Sequence, residues 1–148
     1  MTKLAQLFSS QLETLYQVSR ILSRSLNFHE TLQGVLQILQ DTQNMSRGVV
    51  TLKDTASGEL LVGAVLGKPE AENAEVIYRP GEGIFGSIAS AGKVVVLERL
   101  GDDPRFLNRL EIYDPELPFI GVPIRIYEDI VAGVLAVQTS KENLDQLT

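Results

Sequence analysis

The spacing of apolar residues changes once along this chain, near residue 47, and that change restricts the fold more than any other feature. Before it, within residues 4–22 and 32–39, apolar side chains recur at the three- and four-residue steps of amphipathic helices. After it, short apolar runs such as 48–53 and 59–66 are separated by turns. Helices followed by hairpins predict an α+β domain of three layers, in which helices flank an antiparallel sheet of five or six strands.

The rest of the chain continues the strand-and-turn pattern with helices between. Further strands are predicted at 75–79, 94–97, 119–126 and 131–138, and residues 127–129 join the last two as a hairpin. Asp103-Pro104 supplies a cap and a proline at a first helical position, which predicts a short helix over 105–110.

Three single residues carry local predictions. Asn27, three residues before Glu30, predicts the N-cap of the second helix. His29, the one histidine of the chain, is then a helix-start residue rather than a metal ligand or catalyst. Pro123 cannot donate to a strand ladder, so we expect it at a strand edge or a bulge.

The N-terminal helix has an apolar seam with two possible uses. Its members recur at alternating steps of three and four, interrupted only at Gln11, and they are Leu4, Phe8, Leu15, Val18 and Leu22, with Leu12 and Ile21 widening the stripe. The seam either packs on the domain's own sheet or forms a dimer interface. It spans too few heptads for the sequence to decide between them.

The glycines at 81, 83 and 86 spell G-x-G-x-x-G, the pattern of dinucleotide-binding turns. The context argues for a structural role, because the incoming strand is short and polar and ends in Pro80. We therefore predict a tight turn that allows positive φ, followed by a short helix. Its buried stripe is Ile84, Phe85, Ile88 and Ala89.

Composition excludes several function classes. The net charge is −6 and no run of lysine and arginine occurs, which opposes direct binding to nucleic acid or to acidic membranes. The absence of cysteine excludes disulfides, thiolate metal sites and cysteine catalysis. No signal-peptide apolar region and no membrane-length apolar run is present, so we expect a cytoplasmic protein. Because cysteine is absent and His29 is the one histidine, we expect no enzyme activity, metal or cofactor.

Several separate motifs, in order, resemble those of a GAF domain. They lie at 79–86, 94–97, 102–107, 119–124 and 133–137, and the resemblance covers about residues 12–139. More narrowly, residues 103–110, Tyr113-Asp114 and 118–120 look like the N-terminal regulatory domain of NifA-type activators, the sigma-54-dependent enhancer-binding proteins of nitrogen fixation. The implied fold is GAF-like and PAS-related.

That resemblance implies a division of the chain and a function. Residues 1–26 would be the N-terminal helix for packing or dimerisation, 27–140 the GAF sensory domain, and 141–148 the start of a truncated linker helix. In the family, such a domain restrains a downstream ATPase domain, and a separate helix-turn-helix binds DNA. Some members respond to 2-oxoglutarate and are inhibited by a NifL-type anti-activator, and a homodimer is possible.

The GAF resemblance also implies a pocket between one sheet face and the helices that cross it. Arg105 and Arg109 would share one face of the predicted short helix and present two guanidinium groups to a ligand's carboxylates. The alternative is a solvated face that pairs with Asp102 or Glu111. Arg79 is a further candidate donor, although a lone arginine on a short strand is more often exposed to solvent.

Other candidates for the pocket come from the glycine turn and the aromatics. The free amides of 84–87, at the start of a helix, offer a second anion site. Phe85, Tyr113 and Phe119 could form apolar walls, although aromatics beside a sheet are more often core.

Three hypotheses follow for the function. The leading one is a ligand-sensing regulatory module, with 2-oxoglutarate as the ligand, that controls an attached ATPase. The second is a ligand-free module for dimerisation or for docking an anti-activator. An enzyme is the third and the weakest, since the cysteines of GAF-type methionine sulfoxide reductases are absent.

Overall fold

The computed structural model describes the backbone of residues 3–22, 28–68 and 76–147, and the side chains of 3–15, 29–68 and 76–147. The helices of this part are α1 (Lys3–Leu22), α2 (Phe28–Gln43), α3 (Gly83–Ala91) and α4 (Lys141–Leu147), with a 3-10 turn at Leu100–Asp102. The strands are β1 (Ser46–Lys53), β2 (Leu60–Val65), β3 (Ile77–Tyr78), β4 (Val95–Leu97), β5 (Phe119–Ile126) and β6 (Ile130–Gln138).

The described strands form one sheet in the order β3-β2-β1-β6-β5-β4. Every neighbouring pair is antiparallel. The two predicted hairpins, β1-β2 and β5-β6, are confirmed, and the crossover from β1 to β6 places the last strand at the centre of the sheet. The predicted α+β class is confirmed, and the six described strands agree with the predicted antiparallel sheet of five or six strands.

Side chains of the central strands alternate between two separate cores. Val49 and Val134 belong to a cluster on the α3 face, whereas their neighbours Val50 and Leu135 belong to a cluster on the α1 and α2 face. Because successive side chains of a strand point to opposite faces, this alternation requires apolar cover on both. The three-layer arrangement follows.

The N-terminal helix α1 lies on its own sheet. Leu12 is buried, and Leu4 and Phe8 pack against the same cluster as the α2 leucines. The sheet-packing interpretation of the seam therefore holds for these residues. The side chains of Val18 and Leu22 lie outside the described ones, as does the predicted cap Asn27.

Local predictions for His29 and Pro123 are confirmed. His29 is the second residue of α2, and its Nδ1 donates to the Gly63 carbonyl oxygen at 3.1 Å, which ties α2 to β2. Pro123 pairs with Val134 of β6, beyond the stretch of β5 that β4 covers, and next to a register shift at Ile124.

The helix predicted over 105–110 is wrong. Asp103 does accept a hydrogen bond from the Arg105 amide, at 2.8 Å, but the chain makes turns at 104–105 and 109–110 instead of a helix. Phe106 and Leu110 are drawn into the α3-face core. Tertiary burial of these side chains has overridden the local cap signal.

The predicted strand 75–79 is observed at Ile77–Tyr78, and Glu75 lies outside the described residues.

A buried glutamine holds the irregular segment before β5. The side chain of Gln138 is fully buried at the end of β6. Its Oε1 accepts from the Asp114 amide at 3.0 Å, and its Nε2 donates to the Asp114 carbonyl at 2.8 Å. This pair of bonds fixes the position of the neighbouring Tyr113.

No helix of the described residues combines the length and the apolar character that crossing a membrane requires.

Strand β6 approaches β1 closely at Gly133. A Cβ built there would overlap the carbonyl oxygen of Thr51, which is backbone and cannot turn away. We expect Gly133→Ala to lower the free energy of unfolding by about 2 kcal/mol or more, measured by urea denaturation. The matched control is Gly34→Ala on the exposed surface of α2, where a Cβ meets nothing within 4 Å. That change should stabilise by about 0.5–1 kcal/mol. Equal effects of the two substitutions would contradict the steric account.

Candidate functional site

The glycine turn leads from β3 into α3, and its glycines are required by its geometry. Gly81 and Gly83 have φ of +74° and +64°. A Cβ on Gly86 would lie 2.5 Å from the carbonyl oxygen of Arg79. The predicted tight turn and short helix are confirmed, with Ile84, Phe85 and Ile88 buried and Ala89 packed beside them. Turn sterics therefore account for the G-x-G-x-x-G pattern.

Glu82, at the N-cap position of α3, binds Arg109 rather than capping the helix with its side chain. Its Oε1 accepts from Arg109 Nη1 at 2.7 Å and from the Arg79 amide at 3.2 Å. The hydrogen bond from Arg109 is the main cause that holds the pKa of Glu82 below its usual value. Arg109 Nη1 also donates to the Ile77 carbonyl at 2.7 Å.

Arg105 is held by its own neighbour. The Nε and Nη2 atoms of Arg105 donate to the two carboxylate oxygens of Asp103 at 2.9 and 2.8 Å. This bidentate contact lowers the pKa of Asp103. Arg105 and Arg109 therefore do not share a helix face, because the helix is absent and each arginine has a separate carboxylate. The partners are Asp103 and Glu82 rather than the expected Asp102 and Glu111.

The predicted aromatic walls come together as core. Phe85 of α3 lies 4.9 Å from the Tyr78 ring and 6.4 Å from those of Tyr113 and Phe119, centroid to centroid. Tyr113 also makes edge contacts with Phe106 and Phe119 at 6.2 and 6.0 Å. These rings fill the space between α3 and the sheet, where the GAF resemblance implied a pocket. Offset and edge contacts of this kind stabilise such a cluster.

Two polar atoms inside this aromatic cluster have no partner. The hydroxyls of Tyr78 and Tyr113 are buried, and neither makes a hydrogen bond within the described part of the chain. Burial raises the pKa of Tyr78 to about 12 and that of Tyr113 well above its usual value, and the charge of Tyr78 raises the latter further. A buried hydroxyl without a partner is costly, so this pair requires an explanation.

Arg109 lies at the edge of this pair. Its guanidinium carbon is 5.3 Å from the centre of the Tyr78 ring, a cation–π distance. The charges of Arg109 and Glu82 both affect the pKa of Tyr78, which places the ion pair close to the phenol. Sequence reasoning missed Tyr78 and Glu82. Their only signals were a tyrosine next to Arg79 and an acidic residue inside the glycine turn.

The other predicted anion-binding groups are engaged or exposed. The Arg79 side chain is exposed, and its backbone serves the turn, since its carbonyl accepts from the Glu82 amide at 2.9 Å. The Gly86 amide, within the predicted 84–87 anion site, donates to the Glu82 carbonyl at 2.9 Å. Among the described residues, no three His, Asp or Glu side chains cluster in a way that could hold a metal ion.

The opposite face of the sheet carries a cavity of about 650 Å³, where none was predicted. It lies between α1, α4 and the β4-β5 edge of the sheet, and we name it the apolar groove. Its walls include Leu4, Phe8, Val96, Ile120, Val122 and Leu147. Val96 and Leu147 are 50% and 40% exposed, so the groove presents apolar surface to solvent.

A family model described as the GAF domain matches residues 25–147 of this chain. The chain belongs to the GAF domain family. Among curated relatives, this GAF domain is 43% identical over 136 residues to a Nif-specific regulatory protein of Azotobacter vinelandii, an alignment covering 90% of the chain and 26% of the relative. A protein of the same name from Enterobacter agglomerans is 39% identical over 142 residues, covering 94% and 27%. The chain thus spans about a quarter of the length of these relatives.

A solved structure supports the fold independently. The nlh2 GAF domain of A. aeolicus superposes with a TM-score of 0.68 over 97% of this chain and 88% of that one, at 21% identity. The predicted resemblance to GAF domains, and to regulators of nitrogen fixation in particular, is confirmed by these comparisons.

The buried phenols predict a loss of stability at alkaline pH. The pKa of Tyr78 is raised to about 12, so its contribution is complete below about pH 10 and is lost as pH rises towards 12. We expect Tyr78 to account for a fall of about 1 kcal/mol in unfolding free energy between pH 10 and 11, measured by urea denaturation. Tyr78→Phe should flatten this dependence, and Tyr127→Phe, at a 68% exposed position, should keep it. The same pH slope in Tyr78→Phe and wild type would refute the assignment.

Proposed function

We propose that this GAF domain is the cytoplasmic, non-catalytic regulatory module of a nitrogen-fixation transcription activator, and that it binds a small dicarboxylate. 2-Oxoglutarate is the ligand proposed first, and its binding would change the restraint on an attached ATPase domain. Two Nif-specific regulatory proteins, matched over at least 90% of the chain, support the regulatory role. In this proposal residues 27–140 are the sensory domain, 1–26 its packing or dimer helix and 141–148 the start of the linker.

The observation that carries ligand binding is the polar group at the edge of the aromatic cluster. Arg109 is 38% exposed and sits against the Tyr78 ring, so it meets solvent on one side and that buried phenol on the other. An arginine fork suits a carboxylate, and a low-dielectric neighbour strengthens that contact. Arg105 supplies a second fork nearby in sequence, and Arg79 an exposed charge.

Binding would require the aromatic cluster to open. The rings of Phe85, Tyr113 and Phe119 now occupy the space that a ligand would enter, so they become its apolar walls only after a shift. Displacing packed rings consumes part of the binding free energy. The same displacement is what gives a ligand leverage over the conformation, because only a ligand that favours one state can shift the equilibrium.

Isothermal titration with 2-oxoglutarate tests this proposal. Wild type should bind it saturably, with succinate, cGMP and cAMP as comparison compounds. Arg109→Ala should weaken affinity about tenfold or more, because it removes a charge-assisted hydrogen bond, and Arg105→Ala with Arg109→Ala should abolish binding. Arg99→Ala is the matched control, since Arg99 is 42% exposed and paired with Asp102 and Glu116 instead. Unchanged affinity in the double variant would eliminate both arginines as anchors.

A second candidate function is ligand-free dimerisation or docking of an anti-activator protein of the NifL type. The apolar groove favours it, because contiguous exposed apolar surface marks interaction sites. The groove is bordered by α1, for whose seam a dimer interface was one of the two predicted uses. In this alternative the aromatic cluster stays closed and the groove is the working surface.

Val96→Glu tests the docking alternative. Val96 lines the groove and is 50% exposed, so a buried carboxylate there should dissociate a groove-mediated dimer. We expect sedimentation equilibrium to show a dimer for wild type and a monomer for the variant. Ile130→Glu is the control, because Ile130 is 53% exposed and lies at the β5-β6 turn, away from the groove. A wild type that stays monomeric at high micromolar concentration would count against this alternative.

A further inference from the structure

The unpartnered phenols are the feature of this fold that ordinary packing does not explain. Tyr78 is 1% exposed and Tyr113 is 7% exposed, and both hydroxyls lack a hydrogen-bond partner in the described structure. A phenylalanine at either position would bury the same ring without the cost of an unsatisfied hydroxyl. Both rings lie against that of Phe85, and the charge of Tyr78 raises the pKa of Tyr113, so the two phenols are neighbours within one cluster.

This site has an acidic side chain at its entrance. Arg109, whose guanidinium lies 5.3 Å from the centre of the Tyr78 ring, is paired with Glu82 at 2.7 Å. Glu82 also accepts a hydrogen bond from the Arg79 amide, so its carboxylate has one backbone donor and one guanidinium donor. A ligand's carboxylate would use the same kind of donors. Glu82 therefore resembles an internal occupant of the position that a ligand's carboxylate would take.

We propose that Tyr78 and Tyr113 form a paired hydroxyl donor site for the oxygen atoms of a bound oxoacid, and that Glu82 competes with the oxoacid's carboxylate for Arg109. This inference rests on the proposed function for the class of ligand. It assigns recognition to two hydroxyls that donate to carbonyl or carboxylate oxygens, and it assigns Glu82 the role of an internal competitor. Both hydroxyls can donate to a ligand, because neither has an acceptor among the residues that the structure describes.

The chemistry selects a ligand with more than one oxygen-bearing group. One carboxylate would replace Glu82 on Arg109, and a second oxygen function would accept from the phenols. A monocarboxylate with no further oxygen-bearing group could satisfy only one of the two. Discrimination of this kind is strong, because an analogue that lacks the acceptor leaves the buried donors unpaired.

The decisive experiment combines melting temperature with affinity in two tyrosine variants. Tyr78→Phe and Tyr113→Phe should each raise the melting temperature of the unliganded domain by about 2–6 °C, because an unsatisfied hydroxyl is removed. Each should weaken 2-oxoglutarate binding about tenfold, since a donor to the ligand is lost. Opposite signs of the two effects distinguish a ligand donor from a structural hydroxyl. Tyr127→Phe, at the 68% exposed β5-β6 turn, should change neither.

Glu82→Gln tests the competitor. The amide keeps an oxygen for the Arg79 amide but loses the charge that holds Arg109, so 2-oxoglutarate should bind about three- to tenfold more tightly. Asp102→Asn is the matched control, because it neutralises the carboxylate paired with Arg99, an arginine outside the proposed site. It should leave affinity closer to wild type than Glu82→Gln does. Unchanged or weaker binding by Glu82→Gln would show that Glu82 is not a competitor.

Failure of the inference and failure of the proposed function give different results. A lower melting temperature in either tyrosine variant means that the hydroxyl has a partner in the free domain, and this overturns the paired donor site. Higher melting temperatures with unchanged affinity overturn it as well. A wild type that does not bind 2-oxoglutarate contradicts the proposed ligand, and the thermal measurement alone then decides whether the phenols are unsatisfied.

Discussion

The central strand β6 is buried on both faces, and the rest of the domain follows from that constraint. Seven consecutive residues, from Ala132 to Gln138, are buried. Since their side chains alternate between the two faces, each face needs its own apolar layer. The helices α1 and α2 cover one face, and α3 with the irregular segment before β5 covers the other. Burial of apolar area on this scale is the main favourable contribution to folding.

The two layers that cover the sheet differ in side-chain composition, and each layer favours a different one of the two candidate functions. The α1 and α2 layer is built from aliphatic side chains, and it leaves the apolar groove beside α4 open to solvent. The α3 layer is built around aromatic rings and carries its polar atoms inside, at Tyr78 and Tyr113. A mainly apolar surface suits association with another protein, whereas buried donors beside an arginine suit a small charged molecule.

Patterns of local origin allowed most of the fold to be predicted from the sequence. The hairpins and the glycine turn carry their signals within a few residues. The segment around Arg105 was predicted wrongly, because Asp103-Pro104 signals a helix start while burial of Phe106 and Leu110 requires another path. The Arg109–Glu82 pair spans 27 positions, and no periodicity reports such a contact. The sequence of a two-residue strand also gives no sign that the Tyr78 hydroxyl lacks a hydrogen-bond partner in the described structure.

Gln138 gives the domain a mechanical connection between its two ends. Its side-chain amide donates to the carbonyl of Asp114, next to the buried Tyr113. The adjacent Thr139 donates to the Asn44 carbonyl at 2.8 Å and accepts from Asn143 of α4 at 2.7 Å. One peptide bond therefore separates the anchor of the aromatic layer from the anchor of α4. A displacement of Tyr113 would therefore act on Gln138, the residue next to the one that anchors α4. The buried side-chain amide of Gln138 would link a movement of the aromatic cluster to the start of α4.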